Sequence, residues 1–196
     1  IGRAYSPVLQ TPTTVAILVK HYPDGVMSRF FSNTKQGDKV FLAGPFDSMP
    51  PYQHNLKKHL GLIAGGTGIT PMYQLIKYIL EDPEDKTKIS LCYANKTPED
   101  VLLKRELDLL CEAYPDRLNV TYTVEKPNWN WKGLTGRLNS DLLRNTLPKD
   151  EDSVILVCGP EGLVNAVSGP KIGEQQGPLG GILEQLGYKP NQVYKL

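Results

Sequence analysis

The stretch from Gly61 to Leu80, GLIAGGTGITPMYQLIKYIL, decides the fold class of this 196-residue chain. It begins as an apolar run, turns at glycine and threonine, and continues with apolar residues on one face of a helix: Met72, Leu75, Ile76, Ile79 and Leu80. We expect Thr70 to cap this helix and Pro71 to be its first residue, because both residue types are favoured at those positions. The stretch therefore predicts a buried strand, a glycine-rich turn and an amphipathic helix.

The same alternation of strand and helix continues to the end of the chain. Apolar and β-branched runs predict further strands at KISLCYA, LNVTYTV and SVILVCG, and a closing strand at QVYKL. Helical patterns between them begin near Pro98, Ser140 and Pro160, and Ser140 is the expected cap of its helix. Strands that alternate with helices predict an α/β fold with a doubly wound parallel sheet.

The first part of the chain has a different pattern. Short β-rich segments, TVAILVKHY and DKVFLAGPF, follow one another with the turn sequence PDG between them. After MPPYQHNLKKH the pattern changes to alternating strands and helices. We therefore divide the chain into a β-rich part, residues 1–55, and an α/β domain, residues 56–196.

The composition excludes several classes of function. A net charge of +1, without a dense tract of lysine and arginine, gives no reason to expect a nucleic-acid partner. The longest apolar runs have the length of a strand and fall far short of the roughly 20 residues that span a bilayer. Cys92, Cys111 and Cys158 lack the spacing of metal ligands, so we expect free thiols and no metal site.

Four unusual segments, GGTGITP, ANKTPED, EKPNW and CGPEG, follow four of the predicted strands. They fall at the carboxyl ends of parallel strands, where open α/β sheets bind ligands. GGTGITP and CGPEG also lead into helices, whose free N–H groups favour a phosphate. No lysine follows the glycines as in a P-loop, and Pro71 replaces the third glycine of a standard dinucleotide fingerprint. A phosphate-containing ligand bound in another manner and a tight turn without a ligand both remain open at this point.

Together, GGTGITP and CGPEG resemble the pyridine-nucleotide domain of the ferredoxin–NADP reductase superfamily, and most of all its NADH–cytochrome b5 reductase branch. RAYS is similar to the Arg-x-Tyr-[Ser/Thr] flavin motif of that family, and GVMS resembles its Gly-x-x-Ser segment, with LVKHY similar to the strand between them. The resemblance implies that residues 56–196 bind NADH and that residues 1–55 are the C-terminal part of an antiparallel β-barrel that binds FAD. We expect the upstream part of that barrel to lie outside this sequence.

The resemblance implies an FAD site in the first part of the chain. Arg3 would pair with the pyrophosphate, Tyr5 would lie against the flavin, and Ser6 would hydrogen-bond near its reactive N5. Backbone N–H groups of GVMS would hold phosphate oxygens, and Lys20 would lie near the phosphates or the flavin edge. The full implied set is Arg3, Ala4, Tyr5, Ser6, Leu18, Lys20, Gly25, Val26, Met27 and Ser28.

The resemblance also implies an NADH site in the α/β domain. Glu125 would accept hydrogen bonds from ribose hydroxyls and repel the 2′-phosphate of NADPH. Thr70 would touch the isoalloxazine and Cys158 would stand beside the nicotinamide, so that Ser6, Thr70 and Cys158 are the implied catalytic residues. The full implied set is Gly66, Thr67, Gly68, Thr70, Glu125, Cys158, Gly159 and Pro160.

The implied reaction passes a hydride from NADH to FAD and then single electrons to a haem protein such as cytochrome b5. The C-terminal segment is also similar to fungal mitochondrial members, including a flavoprotein that supports haem attachment to cytochrome c. A non-catalytic nucleotide-binding assembly factor of the same fold is a further alternative. We expect a location at the mitochondrial or endoplasmic-reticulum membrane, with any anchor outside this sequence.

Several implied roles have a simpler structural alternative. Ser28 could cap a helix that contains RFFS, Cys158 could be a buried thiol at a strand end, and Glu125 could form a solvated pair with Lys126. Trp129 and Trp131, in NWNWKGLTG, are expected to form a loop over the sheet edge in which the two rings stack. The joint occurrence of the motifs favours the functional interpretation.

Overall fold

The computed structural model describes residues 2–46, 52–173 and 175–196. Its strands are β1 (Pro7–Gln10), β2 (Val15–Ile17), β3 (His59–Gly65), β4 (Lys88–Asn95), β5 (Leu118–Val124), β6 (Leu134–Thr135), β7 (Val154–Cys158) and β8 (Val193–Lys195). Its α-helices are α1 (Val26–Asn33), α2 (Ile69–Glu81), α3 (Lys104–Ala113), α4 (Ser140–Thr146), α5 (Glu161–Ser168) and α6 (Gly181–Gln185). Residues 47–51, which precede the expected division at 55/56, lie outside the described residues.

Six strands form one parallel sheet in the order β6-β5-β4-β3-β7-β8. The chain moves outward from β3 through β4 to β5, and then crosses back to place β7 on the other side of β3. The point at which the strand order reverses therefore lies between β3 and β7, which is where open α/β sheets form their ligand crevice. The predicted α/β class with a parallel sheet is confirmed.

Helices cover both faces of this sheet. One core packs α2 and α3 against the sheet, and in α2 the five residues of the predicted apolar face are all buried. The other core packs α4, α5 and α6 against the opposite face through Leu143, Val164, Val167 and Leu183. The sheet is thus doubly wound, as the alternating pattern predicts. The loops that follow the strands form its carboxyl edge.

The N-terminal segment joins the α/β domain along α2. Strands β1 and β2 form an antiparallel pair, and β1 lies against α2 with Val8 packed on the core of that face. Farther along the chain, the hydroxyl of Tyr52 donates to Asp85 at 2.6 Å and lies 2.9 Å from the hydroxyl oxygen of Thr87. These contacts hold the connecting segment against the amino edge of the sheet.

Two predicted helix starts are wrong by one or two residues. α2 begins at Ile69, directly after a 3-10 turn at Gly66–Gly68, so Thr70 lies inside the first turn and is not the cap. α4 is capped by Asn139, whose side-chain oxygen accepts from the N–H of Leu142 at 2.9 Å, rather than by Ser140. In both cases a local hydrogen bond or turn decides the boundary, and apolar periodicity does not report on it.

The helix predicted from Pro98 is also wrong, because it is divided into two parts. A 3-10 turn spans Pro98–Asp100, Leu103 has a left-handed φ of 56°, and α3 begins only after it. The carboxylate of Asp100 accepts from the N–H of Thr97 and closes the first turn on itself. This closed turn lies at the carboxyl edge of the sheet, next to β4.

The remaining differences concern β structure and aromatic residues. The strand predicted over TVAILVKHY is reduced to β2, and DKVFLAGPF contains no strand within its described residues. β6 is an additional strand that the sequence pattern did not predict. The predicted stacking of the two tryptophans is wrong, since Trp129 is 92% exposed and Trp131 instead donates its indole N–H to the Leu134 carbonyl. Within the described residues, no helix has both the length and the apolar character needed to cross a membrane.

Candidate nucleotide and flavin site

Two glycine-containing turns meet at the switch point of the sheet. A Cβ atom added to Gly68 would lie 2.3 Å from the carbonyl oxygen of Cys158 and 2.8 Å from the nitrogen of Gly159. A Cβ atom added to Gly159 would likewise lie 3.1 Å from the Cα atom of Gly65. These glycines therefore allow the turns after β3 and β7 to pack main chain against main chain. Roles for Gly68 and Gly159 in cofactor binding remain predictions.

Gly66 has a different environment from its neighbours. Its φ of +53° is the left-handed conformation that favours glycine, and an added Cβ atom would find nothing within 4 Å. Its carbonyl accepts from the hydroxyl of Tyr93 at 2.9 Å, and this hydrogen bond fixes the turn to strand β4. Thr67 beside it is exposed. The open side of Gly66–Thr67 is thus where a ligand can approach bare backbone.

The first turn of α2 lies behind this opening. The Thr70 hydroxyl donates to the Thr67 carbonyl at 3.1 Å and is buried, so it braces the glycine turn from inside. Within α2 itself, the N–H of Ile69 donates to the carbonyls of Gly66 and Thr67, and Pro71 has no N–H. Phosphate oxygens would therefore meet main-chain N–H groups in the glycine turn before α2. The geometry is suited to an anionic ligand. The predicted contact of Thr70 with a flavin remains a prediction.

Cys158 ends β7 and is partly exposed at the mouth of the crevice. Burial raises the pKa of its thiol to about 11, with the nearby charge of Lys171 working weakly in the opposite direction. The thiol is therefore neutral at physiological pH. A neutral and polarisable group at this position can contact a nicotinamide ring without adding charge to the crevice.

Glu125 follows β5 at the same edge of the sheet. Its N–H donates to the carbonyl of Asn95 at 3.1 Å, and its carboxylate oxygen Oε2 lies 3.3 Å from Nε of Arg137. The side chains of Glu125 and Arg137 are 38% and 83% exposed. The ion partner of Glu125 in the described structure is therefore Arg137 rather than Lys126. No motif in the sequence indicated a role for Arg137.

Asn95, the last residue of β4, is a second residue that sequence reasoning missed. It lies between the strands that lead to Gly66 and to Glu125. Its side chain is 7% exposed, and both amide atoms, Nδ2 and Oδ1, are buried with no hydrogen-bond partner of good geometry in the part of the chain that the structure describes. The only signal in the sequence was its place at the start of the unusual segment that follows the second predicted strand.

The two flavin motifs of the first part lie side by side. The ring of Tyr5 contacts the ring of Phe31 edge to face, with centroids 5.5 Å apart, which brings RAYS against helix α1. α1 begins at Val26, so GVMS forms its first turn and supplies N–H groups without intrahelical acceptors. Arg3, two residues before Tyr5, is exposed to solvent. This arrangement fits a phosphate group at the start of α1.

Ser28 and Lys20 have local partners. The buried hydroxyl of Ser28 accepts from the N–H of Tyr22 at 3.1 Å and lies 3.0 Å from the Tyr22 carbonyl, so it closes the turn before α1. It does not cap α1, whose cap is Gly25. Nζ of Lys20 lies 2.6 Å from Oδ1 of Asp100. Ala4 is exposed, whereas Ser6 and Leu18 are partly buried. Their roles, and that of Pro160 as the cap of α5, remain predictions.

Comparison with known proteins agrees with this arrangement. An oxidoreductase FAD-binding domain model matches residues 1–49, and an oxidoreductase NAD-binding domain model matches residues 62–169. NADH-cytochrome b5 reductase 2 of Meyerozyma guilliermondii is 43% identical over 98% of this chain and 67% of its own length. The chain belongs to the NADH-cytochrome b5 reductase family.

Further members of the family give the same result. NADH-cytochrome b5 reductase 2 of Aspergillus oryzae is 46% identical, and an NADH-cytochrome b5 reductase-like protein of Arabidopsis thaliana is 45% identical, each over 98% of this chain. The chain spans about three fifths of the length of these two relatives, 61% and 60%. The resemblance to this family that the motifs indicated is confirmed.

Solved structures of similar proteins have the same fold. The cytochrome b5 reductase domain of Ulva prolifera nitrate reductase superposes with a TM-score of 0.83 at 30% identity, covering 99% of this chain and 78% of that one. The CS-b5R domains of human Ncb5or superpose with a TM-score of 0.72 at 22% identity, covering 97% of this chain and 54% of that one. The second likeness shows the fold alone.

The residues of this chain fit the two cofactors of an FAD- and NAD-binding reductase family. On the nucleotide side, the open backbone at Gly66 and the unpartnered amide of Asn95 lie at the same edge of the sheet as Glu125. On the flavin side, helix α1, whose first turn carries GVMS, contacts RAYS through the rings of Phe31 and Tyr5. The assignment of FAD and NADH as the cofactors of this family agrees with both domain models.

Proposed function

We propose that this chain carries the FAD- and NADH-binding part of a reductase that delivers electrons to cytochrome b5. The observation that carries the proposal is the meeting of the two glycine turns at the switch point of the sheet, with open backbone at Gly66. An anionic nucleotide can approach main-chain N–H groups there, next to the partly exposed Cys158. The family to which the chain belongs supports the same activity.

The residues of the nucleotide side bind and orient NADH. The glycine turn before α2, braced by Thr70, holds the pyrophosphate of NADH, and Glu125 accepts from ribose hydroxyls. Cys158 presents a neutral thiol to the nicotinamide. No side chain acts as an acid or base in this scheme, because the chain contributes alignment and the exclusion of water.

The residues of the flavin side hold FAD against that nucleotide. Arg3 and the first turn of α1 bind its phosphates, while Tyr5 and Ser6 contact the flavin ring. Bound FAD supplies the chemistry that accepts a hydride and releases electrons one at a time. The Lys20–Asp100 ion pair holds the flavin side against the nucleotide side.

The acceptor and the location are part of the proposal. We propose cytochrome b5 as the acceptor on the basis of the family, rather than a pathway to cytochrome c. We also propose that the complete protein works at a mitochondrial or endoplasmic-reticulum membrane, attached through a segment outside this sequence. Fractionation of cells that express the complete protein tests the location, and recovery away from both membranes would contradict it.

The decisive experiment uses the complete protein loaded with FAD. We expect its flavin absorbance to bleach under anaerobic conditions with NADH, faster than with NADPH, and to return when oxidised cytochrome b5 is added. The control is Arg3→Ala, which should lose FAD while the NAD side remains folded. A protein that stays colourless after addition of FAD contradicts the proposal, and stoichiometric FAD in Arg3→Ala contradicts the role of Arg3.

A further inference from the structure

Asn95 has an unusual environment for a buried amide. Its side chain is 7% exposed, and among the described residues neither Nδ2 nor Oδ1 has a hydrogen-bond partner of good geometry. A buried polar group without a partner costs free energy, because it loses its hydrogen bonds with water and gains none in the folded protein. Native proteins keep few of them, and a group that persists calls for an explanation. Here two occur on one side chain.

The position of Asn95 suggests which ligand could supply hydrogen bonds to its amide. Gly65 pairs with Ala94 in the sheet, so Asn95 lies level with Gly66 on the neighbouring strand. On its other side, Asn95 pairs with Val124, and its carbonyl accepts from the N–H of Glu125. A nucleotide that reaches from the glycine turn to Glu125 must cross the end of β4. Asn95 is the residue at that end.

The face of the strand to which Asn95 points is also known. Residues two apart on a strand point to the same side, so Asn95 shares the face of Tyr93. The Tyr93 hydroxyl donates to the Gly66 carbonyl and accepts from the N–H of Leu102. The amide therefore lies on the side of the sheet bordered by the glycine turn and by the turn that ends at Leu102.

Tyr93 does not satisfy the Asn95 amide. Burial raises the pKa of the Tyr93 hydroxyl to about 12, and a marginal hydrogen-bond contact with the Asn95 amide works against this rise. This contact falls short of a hydrogen bond of good geometry, so it does not satisfy the buried amide. The proton of the hydroxyl is already directed to Gly66. Oδ1 of Asn95 in particular has no donor available from this neighbour.

We propose that Asn95 is a nucleotide-positioning residue whose amide gains its hydrogen bonds only when NADH is bound. Nδ2 donates to a phosphate or ribose oxygen of the nucleotide where it crosses β4. Since the amide is covered in the structure, binding must also displace one of the two bordering segments, Gly66–Thr67 or Thr97–Leu102. The inference rests on the proposed nucleotide site and assigns it a further residue.

The test compares Asn95→Leu with the wild type in the complete protein loaded with FAD. Leucine has a similar size and no polar atoms, so replacing the unpartnered amide should leave the nucleotide-free protein as stable as the wild type or more stable in urea unfolding. Calorimetric titration with NAD⁺ should show at least a tenfold loss of affinity, with unchanged FAD content. The matched control is Asn119→Leu on β5, an exposed asparagine that should leave the affinity for NAD⁺ unchanged.

The outcomes separate this inference from the proposed function. If the wild type binds no NAD⁺, the nucleotide site itself is wrong. If the wild type binds NAD⁺ and Asn95→Leu binds it equally well with reduced stability, Asn95 is only structural and the inference is overturned. Should Asn95→Leu fold poorly, Asn95→Ala decides, because the inference requires weaker NAD⁺ binding there at unchanged FAD content and is overturned by wild-type affinity.

Discussion

The ammonium nitrogen of Lys20 lies 2.6 Å from Oδ1 of Asp100 and so joins the N-terminal segment to the turn that follows β4. The other carboxylate oxygen of Asp100 accepts from the N–H of Thr97. Each side chain of the ion pair is 26% exposed, which gives it more shelter from solvent than a surface pair has. One carboxylate therefore closes a turn of the nucleotide side and holds the flavin side against it.

We expect Lys20→Met to destabilise the chain by about 1 kcal/mol, the upper range for ion pairs that are not fully buried. A double-mutant cycle with Asp100→Asn, measured by urea unfolding, isolates the coupling because asparagine can still accept from Thr97. Lys189→Met is the control, since it removes an exposed pair with Glu151 and should change stability little. Equal effects of the two lysine substitutions would contradict the bridging role.

The same ion pair predicts a pH dependence. The hydrogen bond from Lys20 is the main cause that lowers the pKa of Asp100. A carboxyl group with a lowered pKa in the folded state stabilises above its unfolded pKa and loses this contribution as the pH falls through the folded value. The stability gap between the wild type and Lys20→Met should therefore be constant near neutrality and shrink below about pH 4. A gap that persists to pH 2 would argue against this cause.

Glu125 and Arg137 predict the preference between NADH and NADPH. In Glu125→Gln, the repulsion of a 2′-phosphate is lost and Arg137 is released to bind it. We expect the ratio of kcat/KM for NADPH to that for NADH to rise about tenfold, which corresponds to about 1.4 kcal/mol. Steady-state kinetics with both donors on the FAD-loaded protein measures this ratio.

The double variant Glu125→Gln/Arg137→Ala is the matched control for that prediction. It removes the negative charge without leaving an arginine for the 2′-phosphate, so most of the gain with NADPH should disappear. Arg137→Ala alone should disfavour NADPH further, because Glu125 is then unpaired. A wild-type protein that already prefers NADPH would show that Glu125 does not face the ribose.

The fold class was predictable from the sequence because the buried faces of helices and strands require apolar residues at regular spacings. The five apolar residues of α2 and the alternation of strands and helices both follow from contact with one sheet. The helix starts were less predictable, since hydrogen bonds within turns set them. Thr97 and Asp100 close a turn that interrupts the helix predicted from Pro98, and β6 has only two residues and no pattern of its own.

The parts of the site that contain a sequence motif were predictable. The parts that depend on a single residue were not. The two glycine turns could be placed at one edge because both follow parallel strands. The main-chain packing of Gly68 on Cys158 could not be anticipated, because it depends on how closely β3 and β7 bring their turns together. Asn95 and Arg137 were missed because a lone polar residue after a strand has no distinguishing pattern.

Cys158 predicts slow chemical modification. Its pKa of about 11 leaves about a hundredfold less thiolate at pH 8 than an ordinary thiol of pKa 9 has. We expect the iodoacetamide labelling rate, followed by mass spectrometry of the Cys158 peptide, to rise steadily with pH up to pH 10 without levelling. The control is the same chain unfolded in urea, where the rate should level near the ordinary pKa. Added NAD⁺ should slow labelling of the folded chain if Cys158 lines the nucleotide site.

The glycines of the two turns predict different costs for alanine. In Gly68→Ala, the new Cβ atom would meet the Cys158 carbonyl at 2.3 Å, so one turn must move, at a cost of about 3 kcal/mol or more. Gly66→Ala meets no neighbour but strains a φ of +53°, which costs about 1 kcal/mol. Gly162→Ala in α5 meets no neighbour and has no such strain, so it should be neutral or stabilise by up to about 1 kcal/mol.

Urea unfolding of the three alanine variants measures this order, and NAD⁺ titration separates packing from binding. Gly66→Ala should weaken NAD⁺ binding more than its small loss of stability suggests, because the methyl group occupies the open side of the turn that the nucleotide approaches. Gly162→Ala should bind NAD⁺ as the wild type does. If Gly68→Ala were as stable as Gly162→Ala, the turns after β3 and β7 would not be in main-chain contact, and the crevice would have to be built differently.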